Sequence, residues 1–310
     1  ALPILVENLI RYRNLFGNKL AVRKFMSKVS FHALKKYKQG LDSFLESFSK
    51  NVEYEKFSNI RDDDMDTCPI WIMWWQGEDA MPDIVRIAFE SVKFYAGKHP
   101  VILITKNNYE YYTKRSCSFY DFVEKKIISL THFSDFLRFE LLYLHGGLWV
   151  DATVIMTSKF ESDFFSGRFF SVKADTKSVD TIKWDPRWSR LWSIYCIGGH
   201  KGDPLFKYID DFWFLYLSTY DLLIDYFFTD CVIDNAYHRF EDVRKGFDGI
   251  PDSNANALAL SSILNADKSS YQPDSSTYIH KCTWKADFKM WDFNGNETLY
   301  SSLYKKYIRR

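Results

Sequence analysis

Residues 70–75 (IWIMWW) form one unbroken apolar run, and residues 101–105 (VILIT) form a second. Runs this short and continuous predict strands buried on both faces. Between them, residues 82–95 carry apolar side chains at helical spacing with a proline near the start, which predicts a helix. A strand, a helix and a strand in that order need a parallel pairing, because the chain must cross over one face of the sheet before it can run the same way again. The expected class is therefore α/β, a Rossmann-like, mostly parallel sheet flanked by helices. Sheets of this kind bind ligands beyond the carboxyl ends of their strands. A short helix over 109–112 and a short strand over 126–130 are also expected.

Composition narrows the function. The 310 residues are 46% hydrophobic, enough for one large core or two ordinary ones. Aromatic residues make up 18%, which suits a large core and sugar-stacking faces alike. Net charge is +1, so no general attraction to nucleic acid is expected. Neither G-x-G-x-x-G nor G-x-x-x-x-G-K occurs, which argues against dinucleotide oxidoreductases and P-loop enzymes. The cysteines Cys68, Cys117, Cys196, Cys231 and Cys282 are odd in number and form no C-x-x-C pair, so reduced thiols are expected. The opening residues include a Pro and a Glu and lack a basic lead-in, so no secretory leader is expected. The most apolar window, 212–228, reads as a helix but carries Asp221 and Asp225, which does not suit a membrane span. Together these features suggest a soluble or surface-attached cytoplasmic protein.

Charge is uneven along the chain. Residues 1–40 hold nine basic residues against Glu7 alone, while 41–66 are acidic. Leu9, Tyr12, Leu15, Phe16, Leu20, Val22, Phe25, Met26 and Val29 follow helical spacing. Two readings fit: a basic amphipathic helix lying on an anionic membrane, or a helical subdomain packed on the main body with a solvated basic face. The run Arg61-Asp62-Asp63-Asp64-Met65-Asp66 reads as a solvated linker rather than a metal clamp. We expect a helical, basic-then-acidic region over 1–66 and an α/β domain over 67–310.

Residues 133–154 carry the chemistry. Ser134 reads as an N-cap, Gly146-Gly147 ends the helix, and residues 148–155 read as one strand. Asp135 and Arg138 are three apart and share a helix face. Asp151 and Thr153 are two apart, so on a strand they point the same way. The double glycine lets backbone approach a ligand closely.

The pattern S-D-x-x-R-x-x-x-L-x-x-x-G-G-x-W-x-D-A-T resembles the signature of bacterial capsular polysaccharide synthesis glycosyltransferases, which are related to family 32 glycosyltransferases and more distantly to glucosylating clostridial toxins. P-I-W-I-M-W-W-Q-G at 69–77 resembles the family's opening strand, and Tyr278-Ile279-His280-Lys281 with Lys285 resembles its C-terminal H-K-x-x-x-K element. The resemblance covers roughly residues 68–290. It implies a GT-A type fold, a nucleotide-sugar donor and transfer with retention. By matching positions it puts Trp74 beside the nucleobase and Asp135 and Arg138 on donor sugar hydroxyls. Asp151 becomes the first acid of a D-x-D-like motif, near ribose and metal. His280 lies near the diphosphate or metal, Lys281 and Lys285 near the phosphates. Ala152, between the motif positions, is a candidate for sugar selectivity.

Thr153 departs from the family 32 motif, whose second acid is the usual metal ligand, although the capsular branch often reads D-A-T. A neutral hydroxyl is a weak ligand for Mg²⁺ or Mn²⁺. A divalent metal on Asp151 and His280 is the expectation from the resemblance, and Lys281 with Lys285 sharing the leaving-group charge is the alternative. The physical need is the same in both cases: negative charge develops on the departing phosphate and positive charge on the anomeric carbon. Plainer readings stand beside these. Trp74 and Trp75 suit a core as well as base stacking. His280 suits a structural role, and Asp135 with Arg138 suits an ion pair. Asp225 suits a buried hydrogen bond, and Asp252 or Asn254 either a turn or the site. The expected activity is retaining hexosyl transfer, galactose or glucose, from a UDP-sugar to a polyprenyl-pyrophosphate-linked saccharide. The place expected is the inner face of the membrane, with peripheral contact through residues 1–40. A catalytically weak carbohydrate- or nucleotide-binding assembly protein on the same fold is the alternative. A glycoside hydrolase would need two opposed carboxylates, and the motif offers only Asp151 and Asp135.

Overall fold

The computed structural model describes residues 2–27, 30–58, 65–173, 191–272 and 274–309. In chain order the helices are α1 (Leu2–Phe16), α2 (Asn18–Met26), α3 (Phe31–Phe48), α4 (Asp83–Tyr95), α5 (Ser116–Glu124), α6 (Leu130–His145), α7 (Pro204–Thr219), α8 (Phe228–Arg239), α9 (Glu241–Asp248), α10 (Leu260–Ile263) and α11 (Leu299–Tyr307). The strands are β1 (Ile70–Met73), β2 (Val101–Ile104), β3 (Gly147–Val150), β4 (Val154–Met156), β5 (Phe169–Ser171), β6 (Cys196–Gly199) and β7 (Ile279–Lys281). Lys28, Val29 and the Arg61 to Asp64 part of the linker lie outside the described residues.

Two compact units result, and neither follows the order of the chain. The first gathers Ala1–Phe57, Arg115–Glu140 and Pro204–Arg244; the second gathers Ser58–Lys114, Leu141–Asp203 and Lys245–Arg310. A boundary at residue 66 therefore falls inside the second unit.

The second unit contains the sheet, in the order β2-β1-β3-β6-β5. β1 pairs parallel to β2 and β3, while β6 is antiparallel to both β3 and β5. Four of the five strands thus run in one direction, as the strand–helix–strand reading requires. β1 and β3 are buried along their whole length, which is why they read as continuous apolar runs. Ile84, Val85, Ile87, Ala88 and Val92 of α4 join Ile70, Ile72, Leu148 and Val150 in one core. β4 and β7 form a separate two-stranded ladder.

The first unit is helical. Its core is aromatic: Phe119 stacks on Phe136 with centroids 3.6 Å apart, and Trp213 meets Phe228 at 4.5 Å. Tyr12 and Tyr37 both donate to the Ile224 carbonyl, at 3.1 and 2.9 Å, tying α1 and α3 to the loop before α8. Burial raises both phenols above their ordinary range.

Three local expectations are corrected. Residues 126–130 form no strand. The amides of Ile127 and Ile128 turn back to the Phe122 carbonyl, and Lys126 adopts φ 58°, so no donors remain for a ladder. Residues 212–228 are not one helix, since α7 ends at Thr219 and a loop follows. Asp225 sits in that loop and accepts from Tyr37 Oη at 2.7 Å and from the Phe227 amide at 2.9 Å, a structural role. Finally, residues 148–155 are two strands, not one. None of the five cysteines is disulfide-bonded. Among the described residues no helix is long and apolar enough to cross a membrane.

Candidate functional site

The site is built outward from the glycine break that ends α6. Gly146 takes φ 70° and its amide bonds the Leu142 carbonyl at 2.8 Å, closing the helix with a left-handed residue. Trp71 Nε1 donates to the Gly146 carbonyl at 2.9 Å. Gly147 takes φ 97° and runs so close to Pro69 that a Cβ would lie 2.2 Å from the Pro69 carbonyl oxygen. That approach lets Leu148 N donate to Pro69 O at 2.9 Å and starts β3 in register with β1.

β3 delivers Asp151 at the carboxyl end of the parallel strands, where such sheets bind ligands. The register that pairs Trp71 with Trp149 sets Met73 level with Asp151, so Trp74 and the D-A-T segment leave the same sheet edge. The Asp151 amide donates to Tyr195 O at 2.8 Å, and Val154 N donates back to Asp151 O at 2.9 Å. That second bond closes a turn. Asp151-Ala152-Thr153 is thus the corner at which the chain leaves the five-stranded sheet to pair, as β4, with β7. Val154 faces Lys281 in that ladder, and Cys282 N donates to Thr153 O at 3.0 Å. Asn254, buried at φ 57°, fixes the start of β7 by accepting from the Tyr278 and Ile279 amides, each at 2.8 Å. Asn254 is therefore a positioning residue. Asp252 is exposed and lies 3.6 Å from Lys173.

Four described side chains meet at the corner: Asp151, Thr153, Lys281 and Trp149. Lys281 Nζ donates to Asp151 Oδ2 at 2.7 Å and to Thr153 Oγ1 at 2.8 Å. Trp149 Nε1 donates to the other carboxylate oxygen, Asp151 Oδ1, at 2.8 Å. The pair is half open, with side-chain exposures of 21% for Lys281 and 27% for Asp151. Lys281 Nζ also lies 5.7 Å from the centre of the Tyr195 ring. Burial raises the Tyr195 phenol and the Cys196 thiol above their usual ranges, so both stay protonated. Trp74, half-buried, meets exposed Trp284 edge-on at 6.0 Å, and Lys285 Nζ lies 5.9 Å from the Trp284 ring centre. Sequence reading gave Trp149 only as a letter of the motif, without a role, and did not single out Tyr195 or Trp284. Tyr195 acquires meaning only from the pairing of distant segments, its carbonyl accepting from the Asp151 amide. Trp284 had a signal in its place beside Lys285.

His280 does not join Asp151. Neighbouring residues on a strand face opposite sides. While Lys281 reaches Asp151, His280 lies buried with Nε2 3.3 Å from Thr157 Oγ1. Among the described residues no group of three or more His, Cys, Asp or Glu side chains could hold a metal ion. The structure does not bring Asp151 and His280, the expected metal pair, together. Asp151 has both oxygens engaged by Trp149 and Lys281, and Thr153 is neutral and engaged as well.

Burial pushes the His280 imidazole down to about 4. Its folded pKa is below its unfolded one, so its stabilising contribution is complete above the ordinary value of 6.5 and is lost as pH falls towards 4. Over that window this residue should withdraw about 3 kcal/mol. Urea unfolding at pH 7 and pH 4 should show wild type losing that much more stability than His280→Gln, and equal losses would contradict the assignment.

In the first unit, Asp135 and Arg138 pair at 3.2 Å on α6, and both are buried, so this is no surface ion pair. Ser134 lies inside α6, its hydroxyl donating back to Thr131 O at 2.6 Å; Ser129 is the cap, its Oγ accepting from the His132 amide at 3.3 Å. Glu140 accepts from Arg115 N at 2.6 Å and from the Ser116 hydroxyl. Arg115 Nη1 in turn donates to Asp210 and Asp211 at 2.6 Å each. Burial pushes the Asp210 carboxyl up to about 7.

The chain matches the family described as "Capsular polysaccharide synthesis protein" over residues 13–303. No curated protein matches it. Among solved structures, "PaToxG Glycosyltransferase" is similar at 14% identity and a TM-score of 0.35, covering 74% of this chain and 90% of that one.

Proposed function

Because the chain belongs to the capsular polysaccharide synthesis protein family, we propose that it is a retaining glycosyltransferase. It moves a hexose, galactose or glucose, from a UDP-sugar to a polyprenyl-pyrophosphate-linked saccharide. The observation that carries this reading is the Asp151–Thr153–Lys281 cluster at the carboxyl end of the parallel strands. A fixed ammonium beside a half-open surface suits a diphosphate, and the indoles of Trp74 and Trp284 offer faces to a nucleobase. In the reaction the bond from the anomeric carbon to the diphosphate oxygen breaks, and its electron pair stays on that oxygen. The acceptor hydroxyl oxygen bonds the same face of the carbon, and its proton leaves on the diphosphate. Asp135 and Arg138 are proposed to hold donor sugar hydroxyls. Purified protein offered a panel of nucleotide sugars should hydrolyse one donor slowly. Arg138→Ala should lower that rate about tenfold or more. Hydrolysis of no donor would remove the reading.

Thr153 in place of a second acid favours a second reading, a nucleotide-binding assembly protein without turnover. Calorimetry with UDP beside the hydrolysis panel separates the two. Binding without turnover of any UDP-sugar would favour the second.

We further propose that the protein docks on the inner face of the membrane through α1 and α2. Val22, Phe25 and Met26 form one stripe on α2 and are 61%, 51% and 42% exposed. Leu9 and Ile10 of α1 are exposed too, and Arg13 and Lys19 supply exposed cations. An apolar stripe flanked by cations suits an anionic lipid surface. Replacing Val22, Phe25 and Met26 together with Ser should weaken co-sedimentation with phosphatidylserine-containing liposomes about tenfold or more. Unchanged binding would remove α2 from the contact.

A further inference from the structure

We propose that Lys281 is the site's own cation: held by Asp151 and Thr153, its ammonium takes the diphosphate of a nucleoside diphosphate or nucleotide sugar, so binding and bond breaking need no divalent metal. The inference rests on the proposed donor site and deepens it.

The donor chemistry of the corner carries it. A divalent cation of the Mg²⁺ or Mn²⁺ kind wants several oxygen ligands, mostly charged. Among the described residues the corner offers one carboxylate, and both its oxygens already accept hydrogen bonds, from Trp149 at 2.8 Å and Lys281 at 2.7 Å. Thr153 supplies a neutral oxygen that accepts from the same ammonium at 2.8 Å. His280, the other ligand expected from the motif, is buried on the opposite side of β7 against Thr157. A metal on Asp151 would have to displace Lys281 or sit against its positive charge.

Lys281 is suited to the task for three reasons. First, Asp151 and Thr153 take two of the three N–H donors of its ammonium, which leaves one for an incoming oxygen. Second, it is only 21% exposed, so its charge acts through a medium less screening than bulk water. Third, it is preorganised: β7 is paired to β4, and Asn254 holds the two amides before it. A positive charge already in place stabilises the negative charge of the departing diphosphate without rearrangement. Asp151 is then the residue that aims the ammonium, rather than a metal ligand.

The test is calorimetry of the full chain with UDP, GDP and ADP, and with uridine as a control that lacks phosphates, in EDTA and in excess MnCl₂ or MgCl₂. The favoured nucleotide should bind with the same affinity in EDTA and in metal, within about twofold. Lys281→Met should cut that affinity about tenfold or more while leaving nucleoside affinity unchanged, and Lys281→Arg should keep most of it. A tenfold loss in EDTA that metal restores would overturn the inference and leave the glycosyltransferase reading standing. So would an unchanged nucleotide affinity in Lys281→Met. No binding of any nucleoside diphosphate, with or without metal, would overturn both. Should Lys281→Met fail to fold, shown by its circular dichroism spectrum, the metal comparison on wild type decides the matter alone.

Discussion

Gly147→Ala should destabilise the second unit by about 3 kcal/mol or more. The residue sits at φ 97°, a conformation that costs an L-residue about 1–2 kcal/mol. Space is the larger difficulty. A Cβ would lie 2.2 Å from the Pro69 carbonyl oxygen and 3.1 Å from its carbon. These are backbone atoms, and the same oxygen accepts from Leu148 N at 2.9 Å. The clash cannot be relieved by a side chain turning away; β3 must separate from the end of β1. Gly97→Ala is the control, because Gly97 also has positive φ, at 65°, but a Cβ there meets nothing within 4 Å. It should lose only the conformational part, about 1 kcal/mol. Urea unfolding of both variants makes the comparison. Equal, small losses would mean that the close approach of β3 to Pro69 does not hold.

Asp151→Asn should lower donor hydrolysis and transfer about 10²- to 10³-fold while barely changing stability. The amide can still accept from Trp149 Nε1, so the corner keeps its shape. What is lost is the negative charge that holds Lys281 Nζ at 2.7 Å. Without it the ammonium moves among solvent-facing rotamers, and the departing diphosphate loses a fixed partner. Both side chains stay within reach of solvent, at 21% and 27% exposure, so the pair's own contribution to folding is about 1 kcal/mol. Steady-state rates beside a thermal melt separate the two effects. Wild-type rates in a well-folded variant would remove Asp151 from the mechanism.

Legibility in the sequence followed locality. The apolar runs at β1 and β2 announced buried parallel strands, and the helical spacing of α4 announced the crossover. Gly146-Gly147 announced the end of α6, because positive φ is a property of the residues themselves. Asp151, Thr153 and Lys281 stood out by motif, and all three meet. The strand expected over 126–130 failed because Ile127 and Ile128 bond locally to Phe122, which apolar content does not reveal. The single strand expected over 148–155 failed for a related reason. Apolar residues continue through the corner, but Val154 N turns back to Asp151 O and each half pairs with a different partner.

What the sequence determined by itself is the set of local choices: where strands are buried, where a helix stops, and which polar residues are gathered at one edge. The tertiary structure alone decided which atoms those residues spend on each other. Trp149 takes one oxygen of Asp151, Lys281 takes the other, and His280 turns to Thr157. The reason is that backbone conformation answers mostly to near neighbours. The face a β7 side chain presents depends instead on its register against β4, which lies about 125 residues earlier in the chain.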